Sequence, residues 1–290
     1  MKIKRKLAVF TMDLETLSDT GCIRNSDLDI KQDMLDGLDE YISILDKYGI
    51  KATLFAMSNA ALSVKDKLKE YIKNGHDLAL HGKDHSAPIT LSDDEFRYRI
   101  SAAKKQLEAI FGVEIKGYRA PYFSLDNSRL DILDELGFTY DSSRFDFPKR
   151  DFAAEIDVSS FKKIGDNVFS KAGFYEFGMP LAKFMGLRVP VTGGGYARMS
   201  NWSFFLSVLY QYLVRSNYYV FYLHPFEVSK MKMPSTPNLK GYDQYYLRAG
   251  IKSYPHKIET IIHILKKLGY EFVTFDQLTK ELNENADILN

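Results

Sequence analysis

Lys51-Ala-Thr-Leu-Phe-Ala56, the helical period of residues 62–73, the stop Asn74-Gly75 and the run Asp77-Leu-Ala-Leu80 together decide the fold class. A short apolar run, an amphipathic helix closed by Asn-Gly and a second apolar run form a strand–helix–strand unit. Its two strands pair in parallel through a right-handed crossover. The same alternation continues in both directions. Residues 7–12 read as a buried strand, and 33–48 as a helix with Leu35, Leu38, Tyr41, Ile42 and Leu45 on one face and Gly49 as its cap. Ser92, with Glu95 three residues on, is a capping-box signature opening a helix to about Phe111. Strands at 115–118, 138–140, 218–223 and 271–275 alternate with helices at 128–136, 202–215, 256–268 and 276–282. Seven strands so connected predict an α/β fold, a closed or nearly closed (β/α) barrel, with an open doubly wound sheet as the alternative. Residues 144–200 break the rhythm. They are read as a less regular insertion or covering region within a single domain spanning 1–290, in which Gly193-Gly194-Gly195 is either a flexible substrate-side loop or a tight turn.

Composition narrows the function classes. The chain has 290 residues, 45% hydrophobic and 27% charged, which suits one large or two small globular domains. The 39 basic and 38 acidic residues leave a net charge of +1, so no nucleic-acid partner is expected. The single cysteine, Cys22, excludes an internal disulfide and a cysteine-based metal site. After the basic start, the apolar run from Leu7 to Phe10 meets Asp13 too soon for a secretory core of about 7–15 residues, so a cytoplasmic location is expected. Residues 202–226 are interrupted by Gln211, Arg215, Asn217 and His224 and fall short of the ~20 apolar residues of a membrane span. They read as a core helix and a core strand, with an amphipathic membrane-touching face at 202–210 as the alternative.

In a parallel α/β domain, chemistry gathers at the C-terminal ends of the strands. Four such ends here carry reactive groups: Asp13 and Glu15 after the first strand, His81 and His85 after the third, Arg119 and Tyr122 after the fourth, and His224 after the late strand. The i, i+4 spacing of His81 and His85 would put both rings on one face of a helical turn, suited to a divalent metal. Asp13 and Glu15 share a strand parity and can face the same mouth. Two histidines and one carboxylate are a common catalytic zinc set. The second carboxylate is then free to accept a proton from water, Arg119 can orient it, and His224 is a general-acid candidate. Each residue alone has a plainer reading as a solvent-facing acid, a satisfied histidine or a salt-bridge partner. What raises them is that they share one rim.

These residues carry a resemblance. Phe10-Thr-Met-Asp-Leu-Glu-Thr, Ala52-Thr-Leu-Phe, Gly75-His-Asp-Leu-Ala-Leu-His-Gly-Lys-Asp-His-Ser, Gly117-Tyr-Arg-Ala-Pro-Tyr-Phe-Ser, Gly137-Phe-Thr-Tyr-Asp-Ser-Ser and Leu223-His-Pro-Phe-Glu occur in the order of the polysaccharide deacetylase superfamily, carbohydrate esterase family four. The stretch Val189-Pro-Val-Thr-Gly-Gly-Gly-Tyr-Ala-Arg and the His224-Pro-Phe-Glu end resemble a bacterial subgroup linked to exopolysaccharide and cell-surface glycan synthesis. The resemblance implies a distorted seven-stranded (β/α) barrel and metal-dependent removal of an acyl group, usually acetyl, from an amino sugar. It implies Asp13 as general base, His81 and His85 as metal ligands, Arg119 as the residue that orients the base, His224 as general acid and Tyr122 at the acyl site. Pro121, Gly194 and Tyr196 join the substrate side. One departure stands out: the family's first motif has two adjacent aspartates, but Leu14 follows Asp13 here, so Glu15 would have to serve as the third ligand. The implied cofactor is a divalent metal, zinc first, and the implied partner an acylated amino sugar. A lipid-linked substrate would bring peripheral membrane contact. The rival readings are a deformylase or cyclic-amide hydrolase on the same scaffold, and a catalytically dead carbohydrate-binding protein.

Overall fold

The computed structural model describes residues 3–24, 26, 28, 30–147, 152 and 154–287. Met1 and Lys2 of the basic start, and residues 148–151 and 153 of the expected insertion, lie outside the described residues. The strands are β1 (Leu7–Leu14), β2 (Ala52–Met57), β3 (Asp77–Gly82), β4 (Gly117–Tyr118), β5 (Tyr140–Asp141), β6 (Lys162–Gly165), β7 (Val168–Lys171), β8 (Phe174–Phe177), β9 (Leu181–Phe184), β10 (Leu187–Pro190), β11 (Tyr218–Leu223) and β12 (Glu271–Phe272). The main sheet runs β11-β1-β2-β3-β4-β5-β8-β7-β6. Neighbours from β11 through β8 are parallel, and β8-β7-β6 is antiparallel. With helices packed outside it, this curled sheet of seven parallel strands has the expected distorted barrel architecture, left open between β11 and β6.

Parity along β1 explains both cores. Ala8, Phe10 and Met12 face the helices and join the larger hydrophobic cluster, while Leu7 and Val9 face the barrel interior with Phe55, Tyr140, Phe177, Val220 and Tyr222. Strands buried on both faces read as continuous apolar runs, as β1 does. The next interior positions are Thr11 and Asp13, so the polar residues sit on the apolar column like a lid. At the other end, the terminal helix Phe275–Asp287 plugs the barrel with Phe275, Leu278 and Leu282. The Phe275 backbone N–H donates to Thr53 Oγ1 at 2.9 Å, beside the start of β2.

The structure amends several local expectations. The irregular 144–200 region supplies β6–β10, and its β8 is the seventh parallel strand of the main sheet. The expected strand at 271–275 is the two-residue β12, pairing with the start of β1. The helix expected from residue 33 begins at Gly37, because Met34 adopts φ 57° and Asp36 accepts hydrogen bonds from Ser229 and Lys230. The 62–73 helix is two helices, Ser58–Ser63 and Lys65–Lys73, broken at Val64. The Ser92 cap is present: its Oγ accepts from the Glu95 N–H at 3.2 Å.

Candidate active site

Asp13 and Glu15 at the end of β1, His81 at the end of β3, His85 in the following loop and His224 after β11 line one cavity of about 860 Å³. His81 and His85 converge without the helical turn their spacing suggested. His81 belongs to β3, and Gly82 turns the chain at φ 135°, a conformation open to glycine. The Asp84 carboxylate holds the loop by accepting from the Ser86 N–H and from Arg99 Nη1.

One oxygen or nitrogen from each of Glu15, His81 and His85 lies within 4.8 Å of the others, and all three residues are buried. His81 Nδ1 donates to the Arg119 carbonyl at 2.8 Å, which fixes the tautomer and leaves Nε2 facing Glu15 Oε2 at 3.7 Å. Such outer hydrogen bonds commonly orient histidine ligands. His85 Nε2 lies 2.7 Å from Glu15 Oε2, yet that oxygen and His85 Nδ1 have no aligned hydrogen-bond partner. Two ligand atoms crowded together, with a buried carboxylate oxygen left orphaned, fit a shared cation between them. Burial pushes the Glu15 carboxyl up, but His85, His224 and His81 outweigh it and hold it well below the ordinary value.

Asp13 is held separately. Arg119 Nη1 donates to Asp13 Oδ1 at 2.7 Å and to Thr11 Oγ1 at 2.8 Å. Its Nε and Nη2 bond Ser142, and its guanidinium lies 4.1 Å from the Phe55 ring centroid. Arg119 is fully buried and clamped on every side, so its position is set by the barrel. His224 is anchored from behind. Its backbone N–H donates to Glu227 Oε2 at 3.0 Å, and its Nδ1 lies 3.2 Å from the same oxygen. Glu227 in turn takes a 2.8 Å bond from Arg198 Nε, with both side chains buried. Burial lowers the His224 pKa, but Glu15, Glu227 and Asp13 together raise it to about 9.

Sequence reasoning assigned no role to Thr11, Ser142, Arg198 or Glu227. Thr11 shares the parity of Asp13, and Glu227 closes the quoted His-Pro-Phe-Glu, so each had a local signal. Arg198 closes the quoted Val189–Arg198 stretch, but nothing local paired it with Glu227, 29 positions on. Tyr122 and Tyr196 line the cavity, and the Tyr122 ring packs edge-on against His85 at 4.4 Å with its backbone at φ 59°. Pro121 and Gly194 do not line it. Pro121 is buried under Gly82, and the Gly194 carbonyl accepts from Tyr254 Oη. The glycine run is a close-packing device, since a Cβ on Gly193 would sit 1.8 Å from the Tyr222 carbonyl oxygen. The cavity wall also holds Cys22, whose thiol burial pushes up, away from a nucleophilic thiolate.

Fold and site together define a barrel protein with a metal-ready His-His-carboxylate set, a clamped carboxylate beside it and a backed histidine. Comparison with known proteins agrees. Residues 32–140 match the family model described as polysaccharide deacetylase, so the chain carries a polysaccharide deacetylase domain. Residues 142–280 match a second model, described as a domain of unknown function (DUF3473). The first model thus holds His81, His85 and Arg119, and the second holds Arg198, His224 and Glu227. A peptidoglycan deacetylase of Helicobacter pylori is 24% identical over 107 residues, 37% of this chain and 36% of that protein. The match therefore spans about a third of that relative's length. A structure described as a putative polysaccharide deacetylase from Mycobacterium smegmatis superposes with a TM-score of 0.63 at 16% identity, over 97% of this chain and 91% of that one. A CE4-family pseudoenzyme from Bacillus anthracis superposes at 0.52 with 15% identity, over 96% of this chain and 66% of that one. These structural likenesses establish the fold.

Proposed function

We propose that the chain is a divalent-metal-dependent hydrolase that removes an N-acyl group, acetyl in the first instance, from an amino sugar of a cell-surface polysaccharide, peptidoglycan or lipid-linked precursor. The observation that carries this reading is the convergence of Glu15, His81 and His85 beside an Asp13 fixed by Arg119, in a cavity that also receives His224. Zinc suits two imidazoles and one carboxylate, with further positions open. When bound there, the ion would supply Lewis acidity, lowering the pKa of water towards ~7 and polarising the acyl carbonyl.

The protein's own groups supply the proton transfers. Asp13, outside the three-donor set and oriented by Arg119, accepts the proton of the attacking water. His224, kept protonated by its carboxylate neighbours, donates to the departing amine, which leaves poorly unless protonated. Tyr122 walls the acyl side against His85. No serine or cysteine nucleophile is needed. The substitution of Leu14 for the family's second aspartate would mark a dead site if nothing replaced it, and the closeness of Glu15 to His81 and His85 supports Glu15 as the replacement. Acetate release from N-acetylated chitooligosaccharide, compared with amine release from a lipid-linked N-acyl amino sugar, tests the reading. Turnover of either, abolished by His81→Ala, supports it. Full metal loading with turnover of neither assigns the chain to the binding-only class.

A further inference from the structure

Fifty consecutive residues, Phe177 to Phe226, contain no Asp or Glu, although the chain as a whole carries 38. Two surface elements in this span sit together: the β9–β10 hairpin and the helix Trp202–Arg215, joined by an edge-on contact of Phe184 with Phe204 at 5.3 Å. The helix buries Phe205, Val208, Leu209 and Leu213, and it presents Phe204, Tyr210 and Val214 on its outer arc. The core reading of this helix therefore holds on one face, and an apolar arc is left exposed on the other.

The hairpin tip is the more telling feature. Leu187 pairs with Phe184, so the loop is Met185-Gly186, with φ of 48° and 79°. Such tight turns favour Asn, Asp or Gly, and a methionine there is strained. Yet Met185 is 87% exposed and Leu187 69% exposed. A residue poorly suited to the turn, apolar and held out in water, points to a role for the tip itself. Lys183 and Arg188 are exposed on the hairpin, and Arg215 is exposed at the far end of the helix. Arg188 is partly engaged, donating to the Asp146 carbonyl, whereas Lys183 and Arg215 form no ion pair among the described residues.

We propose that this face docks on an anionic lipid bilayer, with Met185 and Leu187 entering the interface and the basic residues meeting the headgroups. Apolar groups of this kind bury about 5–10 Å into the headgroup boundary, and Lys and Arg add attraction to acidic lipids. A second copy of the chain is the poorer occupant, since a two-fold contact would set Lys183, Arg188 and Arg215 against their own kind. Among the described residues no helix is long and apolar enough to cross a membrane, so the contact is peripheral. Tyr196 and Met199, which lie between the hairpin and the helix in sequence, line the cavity.

Co-sedimentation of the full chain with phosphatidylcholine vesicles, with and without about one-third phosphatidylglycerol, tests this. Binding is expected on the acidic vesicles, weakened by salt and lowered about tenfold or more by Met185→Asn with Leu187→Ser. The Asn suits the turn, so that variant should fold, as its thermal melt will report. Lys183→Glu with Arg215→Glu should also release the protein. Absence of wild-type binding, equal binding to neutral vesicles, or binding indifferent to both variants would overturn the proposal. So would a concentration-dependent dimer that the hairpin variant abolishes in the absence of vesicle binding, which would assign the face to a second copy.

Discussion

Arg119 Nη1 meets Asp13 Oδ1 at 2.7 Å with both side chains out of solvent, while the Arg119 carbonyl accepts from His81 Nδ1. One residue therefore positions the carboxylate that is to accept a proton and a histidine of the donor set. Breaking a buried pair by removing one partner strands the other charge. Arg119→Met should destabilise the fold by about 3–5 kcal/mol, read as a lower urea midpoint. Asp13→Asn keeps the shape and should retain metal while lowering turnover by about 10²–10⁴. Near wild-type turnover in Asp13→Asn would move the base elsewhere.

Glu15 separates the roles of the two carboxylates. Glu15→Gln should bind zinc more weakly than Asp13→Asn, since a neutral amide is a poorer ligand than a carboxylate. Glu15→Asp should keep part of the affinity. Zinc titrations of the metal-stripped variants give the order directly, and the reverse order would make Asp13 the ligand.

Much of this was legible in sequence because parity along one buried strand is strict. Leu7, Val9, Thr11 and Asp13 alternate with Ala8, Phe10 and Met12, so parity sets Asp13 and Glu15 on one side of the strand, and the structure shows that side to be the barrel interior. The terminal strand and the insertion were harder. β8 carries Glu176 in mid-strand, a charge that hides a buried strand until its partner Asp141 is seen across the β5–β8 register. Likewise, Arg198 and Glu227 look like surface charges until the fold brings them together.

Asp141 and Glu176 give a pH signature. Burial, joined for Glu176 by the neighbouring Asp141 charge, pushes both carboxyls up, Asp141 to about 6 and Glu176 well above its ordinary value. The folded protein thus holds more protons than the unfolded chain above pH ~4. Stability from this pair is full below that pH and is lost as pH rises through the folded values. Glu176→Gln keeps the shape without the charge, so it should flatten the decline in urea midpoint between about pH 5 and 8. A decline as steep as in the parent would remove the pair as its source.

His224 gives a second pH signature. Burial lowers its pKa, and the Glu227 and Asp13 charges, which stay beside it when Glu15 holds an ion, raise it. Turnover should fall as pH rises past the point where His224 loses its proton. Glu227→Gln removes one of the charges that hold the proton, so the falling limb should move to lower pH with metal content intact. A limb that stays put in the pH–kcat profile would mean that His224 is not the acid.

In the proposed reaction, hydrolysis of an N-acyl amino sugar depends on an ion held by Glu15, His81 and His85. This dependence is tested most directly by titrating zinc into the chelator-stripped protein while following acetate release from N-acetylated chitooligosaccharide. No release is expected before zinc, then a rise that saturates near one ion per chain, and no recovery in His85→Ala. Full acetate release by the stripped protein, or release by His85→Ala equal to the parent, would contradict it.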